Sequence, residues 1–139
     1  SSSLVLKEVK RKPLNDKKLK ANLKFCNEKG ILTNAFYILG FPSDNEKTIL
    51  ETIDFAKRLN TSFANFTIFT PYPGTAFWQD NKEELLTDNY EKYDTYTPVL
   101  KTSQISPSRI LELKEKAFLD YYYRWGWVKG FLKGLGKQF

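Results

Sequence analysis

The residues best suited to chemistry in this sequence lie in two turns rich in glycine and proline, residues 38–44 (ILGFPSD) and 70–75 (TPYPGT). Each turn follows a run of apolar and β-favouring residues, and one amphipathic segment separates the two runs. This order predicts a βαβ unit whose two strands end on the same side, which is where α/β folds bind ligands. Residue types of this kind bind and position a ligand with backbone and apolar atoms.

Other kinds of chemistry lack their usual residues in this chain. It has no histidine, which is the commonest general base and metal ligand, and one cysteine, Cys26. One cysteine excludes an internal disulfide and a multi-cysteine metal site within the chain. We interpret Cys26 as a small core residue, with a reactive thiol as the alternative. We therefore predict no catalytic residue and no metal ligand here.

The composition predicts one soluble globular domain with a local basic segment. The chain has 139 residues, 41% of them hydrophobic, and a net charge of +6. Residues 1–29 contain nine Lys/Arg against three Asp/Glu, so this segment carries the excess charge. We interpret it as a solvated helix face and expect no nucleic-acid partner; attraction to nucleic acid or anionic lipid is the alternative. The absence of a long apolar run or signal peptide predicts a cytoplasmic protein, with a membrane partner not expected.

Three amphipathic helices and two strands are predicted to position the two turns. The strands are predicted over residues 31–39 and 63–70, and the first helix over residues 15–30. The second helix begins with a capping box of Ser43 and Glu46, and its buried positions are Ile49, Ile53, Ala56 and Leu59. The third helix is capped by Ser106 with Pro107 in its first turn, and its buried positions are Ile110, Leu113, Ala117 and Tyr121.

Alternation in the second strand divides its side chains between two faces. Asn65 and Thr67 share one face with Phe69, and the smaller or apolar residues between them take the other. Two interpretations remain open. The polar face is directed to a ligand, or its side chains form hydrogen bonds within a core.

The last sixteen residues have an unusual periodicity. Gly126, Gly130 and Gly134 recur every four residues beside two tryptophans, and lysines follow at the same spacing. Such a helix could dock on another helix or on a membrane surface. We favour a packing element, because three glycines cost about 3 kcal/mol of helix propensity.

The two turns carry a resemblance to a known family. Residues 36–44 keep Ile38, Gly40 and Pro42 of its fifth-strand pattern, although Phe36 replaces a glycine and residues 43–44 replace Gly-Glu. Residues 71–75 keep its Pro-Tyr-Pro-Gly-Thr turn unaltered. The chain thus resembles the C-terminal half of a radical S-adenosylmethionine domain of the cobalamin-associated, B12-binding subgroup. Residues 4–12 resemble the helix after its fourth strand, and segments within residues 93–124 resemble its extension.

The resemblance implies an α/β fold, the C-terminal part of a partial (β/α)6 TIM-like barrel in residues 1–80. A C-terminal helical extension, a loop followed by an aromatic-rich helix, is implied for residues 81–139. Ile38, Gly40 and Pro71 are implied to contact the cofactor, with Ile38 against the adenine and Gly40 allowing its close approach. The implied substrate-facing residues are Asn34, Asn65, Thr67 and Tyr72. The alternatives are an ordinary core position for Ile38, a positive-φ turn at Gly40 and a purely architectural turn at 70–75.

The function implied is that of an enzyme fragment. The missing start methionine predicts a longer parent, which would bind S-adenosylmethionine and a 4Fe-4S cluster, with cobalamin as a further cofactor. The family's Cys-x-x-x-Cys-x-x-Cys loop is absent here. The fragment alone is therefore expected to bind no cofactor and to catalyse nothing, and its partners are the N-terminal half of the domain and a small-molecule substrate. The alternatives are a non-catalytic α/β binding or scaffold module and a membrane-peripheral interaction protein.

Overall fold

The computed structural model describes residues 15–135 of the chain. Its helices and strands, in chain order, are α1 (Asp16–Glu28), β1 (Asn34–Leu39), α2 (Glu46–Leu59), β2 (Phe63–Ile68), α3 (Ala76–Asp80), α4 (Pro107–Tyr122) and α5 (Trp125–Leu135). Two single 3₁₀ turns, Lys82–Glu84 and Tyr90–Lys92, lie between α3 and α4. The helix expected at residues 4–12 and Lys137 of the tail lie outside the described residues. The fold is mixed α/β, as the sequence predicts.

Strands β1 and β2 form a parallel sheet, with α2 as the connection between them. The register runs from Asn34 opposite Phe63 to Leu39 opposite Ile68. Both strands are shorter than predicted. At their start, Thr33 and Ser62 exchange bonds between backbone N–H and hydroxyl groups, at 3.0 and 3.2 Å, beside the backbone bond from Phe63 N to the Thr33 carbonyl at 2.9 Å. The βαβ prediction is confirmed, with pairing limited to six residues in each strand.

The core lies on one side of this sheet, between the sheet and helices α2 and α4. The strands contribute Tyr37, Leu39, Ala64, Phe66 and Ile68; α2 contributes Ile49, Ile53 and Ala56; α4 contributes Ile110, Leu113, Ala117 and Tyr121. These are the inner positions that the periodicity predicts, except that Leu59 is only half-buried. The predicted start of α4 is also confirmed, because the Ser106 side chain accepts a bond from Arg109 N at 3.2 Å and Pro107 begins the helix.

The predicted capping box at the start of α2 is wrong. The cap is Asn45, whose side chain accepts a bond from Thr48 N at 3.0 Å, while the Thr48 hydroxyl accepts one from Asn45 N at 3.0 Å. The Glu46 carboxylate is instead paired with Arg109 of α4 at 2.7 Å. The helix begins later than Ser43 implies because the preceding residue, Asp44, takes part in the turn after β1.

Helix α1 has the predicted boundaries but packs loosely. Asn15 caps it, and Gly30 follows it with a φ of +69°. None of its residues is fully buried, and Cys26 is half-buried and does not belong to the core, so the interpretation of Cys26 as a core residue is wrong. Among residues 15–135, no helix is both long enough and apolar enough to cross a membrane.

Candidate functional site

The side of the sheet away from the core is open. Phe36 and Ile38 of β1 point to this side and are 71% and 43% exposed, because alternate residues of a strand face opposite sides. On β2 the same side carries Phe63, Asn65 and Thr67, opposite Asn34, Phe36 and Ile38 respectively. These six residues form what we call the open sheet face. Asn65 and Thr67 therefore lie outside the core of the described residues, which agrees with the predicted division of β2.

At the carboxyl end of the open sheet face, Ile38 lies opposite Thr67. The Thr67 hydroxyl makes a long hydrogen bond of 3.4 Å to the carbonyl of Tyr37. An apolar side chain thus lies beside a weakly engaged hydroxyl at the end of two parallel strands. This is the part of an α/β sheet where ligands bind.

The two asparagines lie toward the other end of this face. Asn65 donates a hydrogen bond to the Asn34 side chain at 2.9 Å. Asn34 is the first residue of β1, and at about 3.3 Å per residue its Cα is roughly 13 Å from that of Ile38. Of the residues predicted to face the substrate, Thr67 lies beside Ile38, Asn65 precedes Thr67 by two residues on the same face, and Asn34 is bound to Asn65. Their roles toward a substrate stay predictions.

The turn after β1 is held by a buried carboxylate. Asp44 is 5% exposed, and its Oδ2 accepts bonds from the backbone N–H groups of Gly40 and Phe41, both at 3.0 Å. Its Oδ1 accepts the hydroxyl of Thr48 at 2.7 Å. The carboxylate thus joins the turn to the first turn of α2. Since both N–H groups are bound within the chain, they are not available to a ligand.

The space beside Gly40 is occupied by the core. Gly40 has a φ of +79°, and a Cβ added there would lie 3.1 Å from Cγ2 and 3.2 Å from Cδ1 of Ile110 in α4. Its missing side chain therefore makes room for α4, and the alternative of a positive-φ turn is supported. The strand ends at Leu39, so the positive φ removes Gly40 from the alternation that puts Ile38 on the open face. Contact of the Gly40 backbone with a cofactor stays a prediction.

The second turn meets the first through aromatic rings. Phe69 lies 4.6 Å from Phe41 and 5.0 Å from Phe77, measured between ring centroids. Within the turn Pro71 is buried, whereas the side chain of the next residue, Tyr72, is half exposed. The two turns therefore lie together at the carboxyl ends of the strands, as predicted. The roles of Pro71 and Tyr72 toward a ligand stay predictions.

Beyond the second turn, Thr75 starts α3. Its hydroxyl donates to the Tyr72 carbonyl at 2.7 Å and accepts from Trp78 N at 3.3 Å. Gly74 has a φ of +86° and no atom within 4 Å of an added Cβ. Gly74 is thus required by the backbone conformation alone, which distinguishes it from Gly40.

The outer edge of β2 is covered at two points. The Tyr122 hydroxyl accepts a bond from Ala64 N at 3.0 Å and donates one to Ala64 O at 2.9 Å. Further along, the carbonyl of Thr95 accepts a bond from Ile68 N at 2.7 Å. Thr95 has a φ of +66°. Among residues 15–135 the opposite edge of the sheet, along β1, pairs with no further strand.

The segment that covers this edge is itself stabilised by Asp94. Its carboxylate accepts bonds from Tyr96 N at 2.8 Å and Thr97 N at 2.7 Å, and these bonds hold the Asp94 pKa below its ordinary value. On the core side of the sheet, burial raises the pKa of Tyr37 to about 12, so this phenol is neutral at physiological pH. Residues 15–135 contain no cluster of three or more histidine, cysteine or acidic side chains that could hold a metal ion.

Sequence reasoning missed two contributors to this site. Asp44 stands four residues after Gly40, a spacing that allows its carboxylate to fold back on the turn, but the sequence alone also fits a helix cap. Tyr122 has no comparable signal, because its contact with Ala64 joins residues 58 positions apart.

Comparison with known proteins identifies several relatives, although no protein-family model matches the chain. It is 38% identical over 104 residues to an uncharacterized methyltransferase of Pyrococcus horikoshii, covering 73% of this chain and 23% of the relative. It is 27% identical over 139 residues to an anaerobic magnesium-protoporphyrin IX monomethyl ester cyclase of Rubrivivax gelatinosus (86% and 25%). It is 30% identical over 82 residues to a bacteriochlorophyllide d C-12(1)-methyltransferase of Chlorobaculum tepidum (59% and 18%). The chain thus spans about a quarter or less of each relative's length.

Proposed function

This chain belongs to the B12-binding subgroup of the radical S-adenosylmethionine family, and we propose that it forms one wall of an S-adenosylmethionine and substrate site in a longer enzyme. The observation that carries the proposal is the open sheet face, which ends at Ile38 and Thr67 beside the turn held by Asp44. An exposed apolar side chain in this position provides a surface for a flat base. The parent enzyme transfers methyl groups or carries out other chemistry initiated by a 5′-deoxyadenosyl radical.

The open sheet face supports a place within a partial (β/α)6 barrel. In such a barrel one sheet face packs on the helices and the other faces the interior, and here the core covers one face only. The edge of β2 is covered by Tyr122 and Thr95, so a further strand can pair with the sheet only along β1. We propose that β2 is the last strand of an open barrel and that the N-terminal half of the parent domain pairs with β1.

The described residues are suited to contact S-adenosylmethionine but cannot hold a 4Fe-4S cluster. Ile38 suits the adenine of an adenosyl group, and the Thr67 hydroxyl beside it and Tyr72 of the second turn are directed to the substrate. One cysteine cannot hold a 4Fe-4S cluster, so its thiolates come from a Cys-x-x-x-Cys-x-x-Cys segment outside this chain. When bound, the cluster and S-adenosylmethionine supply the radical chemistry, and cobalamin would be carried by another part of the parent. The residues of this chain bind and orient the adenosyl group and the substrate. We propose that the parent enzyme is cytoplasmic.

The parent reading frame provides the first test. We expect it to encode the Cys-x-x-x-Cys-x-x-Cys segment upstream of Ser1, within the roughly one hundred to two hundred residues of a domain-length segment. A start codon close to Ser1, preceded by an in-frame stop, would contradict the proposal and favour a stand-alone binding or scaffold module.

The second test concerns Ile38 in the complete enzyme. Ile38→Ala should weaken S-adenosylmethionine binding by roughly tenfold, because removing most of a contacting apolar side chain costs about 1–2 kcal/mol. Phe36→Ala is the matched control, since Phe36 lies on the same face of the same strand, one pleat repeat farther from the carboxyl end. Equilibrium dialysis measures both affinities. Equal affinities in the two variants would refute the assignment of the adenosyl site to the strand end.

A further inference from the structure

The final helix, α5, is fixed to the body of the protein by one side. The Trp127 ring lies 4.9 Å from the ring of Tyr122, and its Nε1 donates to the Ser62 carbonyl at 2.9 Å. Just before the helix, Arg124 donates to the Tyr121 carbonyl at 2.9 Å and to the Asn60 side chain at 2.7 Å. These bonds set the rotation of α5 about its axis, with Trp127 facing inward.

The opposite side of α5 is exposed and amphipathic. At 100° per residue, Trp125 and Leu132 lie about 140–160° around the helix from Trp127. They are 69% and 60% exposed. Lys129, on the same side, has its ammonium 5.5 Å from the centre of the Trp125 ring. We call Trp125, Lys129 and Leu132 the outer face of α5.

Two glycines of α5, Gly126 and Gly130, contact no neighbouring element among the residues that the structure describes. A Cβ added at Gly126 or Gly130 would meet no atom within 4 Å. The prediction that this segment packs on the body is supported at Trp127. The described part of the chain, however, does not cover the outer face, Gly126 or Gly130.

The sequence of this helix carries charge of one sign. After Asp120 the sequence contains no acidic residue, whereas lysines stand at positions 129, 133 and 137, and Lys129 lies on the outer face. A helix with an exposed tryptophan, leucine and lysine on one side, in a sequence without acidic residues, is complementary to an anionic lipid surface, on which it lies in the plane of the interface. We propose that the outer face of α5 docks the protein on a membrane surface that contains anionic phospholipid.

The affinity of the protein for vesicles should depend on lipid charge and on individual residues of the outer face. Each lysine near an anionic surface raises the partition coefficient roughly fivefold at moderate ionic strength, and added salt reduces this gain. Trp125 and Leu132 supply the apolar part of the interaction. Binding should therefore need both the lysines and the exposed apolar side chains.

The test is sedimentation of the full chain with vesicles of phosphatidylcholine, with and without phosphatidylglycerol. We expect binding only with phosphatidylglycerol, weakened roughly fivefold or more by each of Trp125→Ser, Leu132→Ser and Lys129→Gln. Matched controls are Phe36→Ser, an equally exposed aromatic on the open sheet face, and Lys101→Gln, an exposed lysine elsewhere. Circular dichroism verifies that every variant is folded.

Three results would overturn the proposal: no sedimentation of the wild type with anionic vesicles, equal losses in the outer-face variants and the controls, or equal binding to vesicles without anionic lipid. Self-association that disappears in Trp125→Ser, without vesicle binding, would also overturn it and assign the face to a protein contact. None of these outcomes depends on S-adenosylmethionine binding.

Discussion

Replacing Gly40 with alanine imposes two costs that the structure allows to be separated. The first is conformational: an L-residue with a side chain pays about 1–2 kcal/mol to adopt a φ of +79°. The second is steric, because the new Cβ would lie 3.1 and 3.2 Å from two carbons of the buried Ile110. Overpacking of this kind in a core costs about 1–3 kcal/mol. The expected loss of stability is therefore about 2–5 kcal/mol.

Gly74→Ala is the matched control for this prediction. Gly74 has a φ of +86°, but nothing lies within 4 Å of an added Cβ, so only the conformational cost applies. The gain from a less flexible unfolded chain is common to both variants and cancels in their difference. Gly40→Ala should thus be about 1–3 kcal/mol less stable than Gly74→Ala, which corresponds to roughly 4–12 °C in Tm for a chain of this length.

Urea unfolding of both variants, followed by circular dichroism, measures the difference. Ile110→Val removes the carbon at 3.2 Å, so in that background Gly40→Ala should cost less than in the wild type. Equal free energies of unfolding for Gly40→Ala and Gly74→Ala would show that contact with Ile110 adds no cost. Gly40 would then serve only the backbone turn, and its close approach to α4 would have no energetic role.

Two further predictions concern the turn and the sheet edge. Asp44→Ala should destabilise the protein by about 3–5 kcal/mol, because two buried N–H groups lose their acceptor. Asp94→Ala removes two similar bonds at an exposed site and should cost less than about 1 kcal/mol. Similar costs for the two variants in urea unfolding would show that burial is not the deciding factor. Tyr122→Phe should lower the free energy of unfolding by about 1–3 kcal/mol, because the two hydrogen bonds to Ala64 are lost. Tyr123 is 81% exposed, so Tyr123→Phe should cost less than about 0.5 kcal/mol. Equal losses of stability for the two variants in thermal unfolding would contradict this prediction.

The sequence predicted which face of β2 carries Asn65 and Thr67, because the position of a residue on a strand depends only on alternation. Ile38 and Thr67 were expected on a ligand-facing side, and both lie on the open sheet face. Asn65 shares that face, yet its partner could not be predicted. Its pairing with Asn34 depends on the register between two strands, which is set by the packing of α2 and by the bonds between Thr33 and Ser62.

The local elements are predictable from the sequence: the two strands, the inner positions of α2 and α4, and the caps at Asn15 and Ser106. Periodicity and capping involve neighbours within a few residues, so they can be read along the chain. Asp44 is four residues from Gly40, and its position fits both a helix cap and a bond to the turn; in the folded protein its carboxylate binds the turn, and the cap of α2 is Asn45. The filling of the space beside Gly40 by Ile110 and the cover of β2 by Tyr122 come from tertiary structure alone, because these contacts join residues about sixty to seventy positions apart.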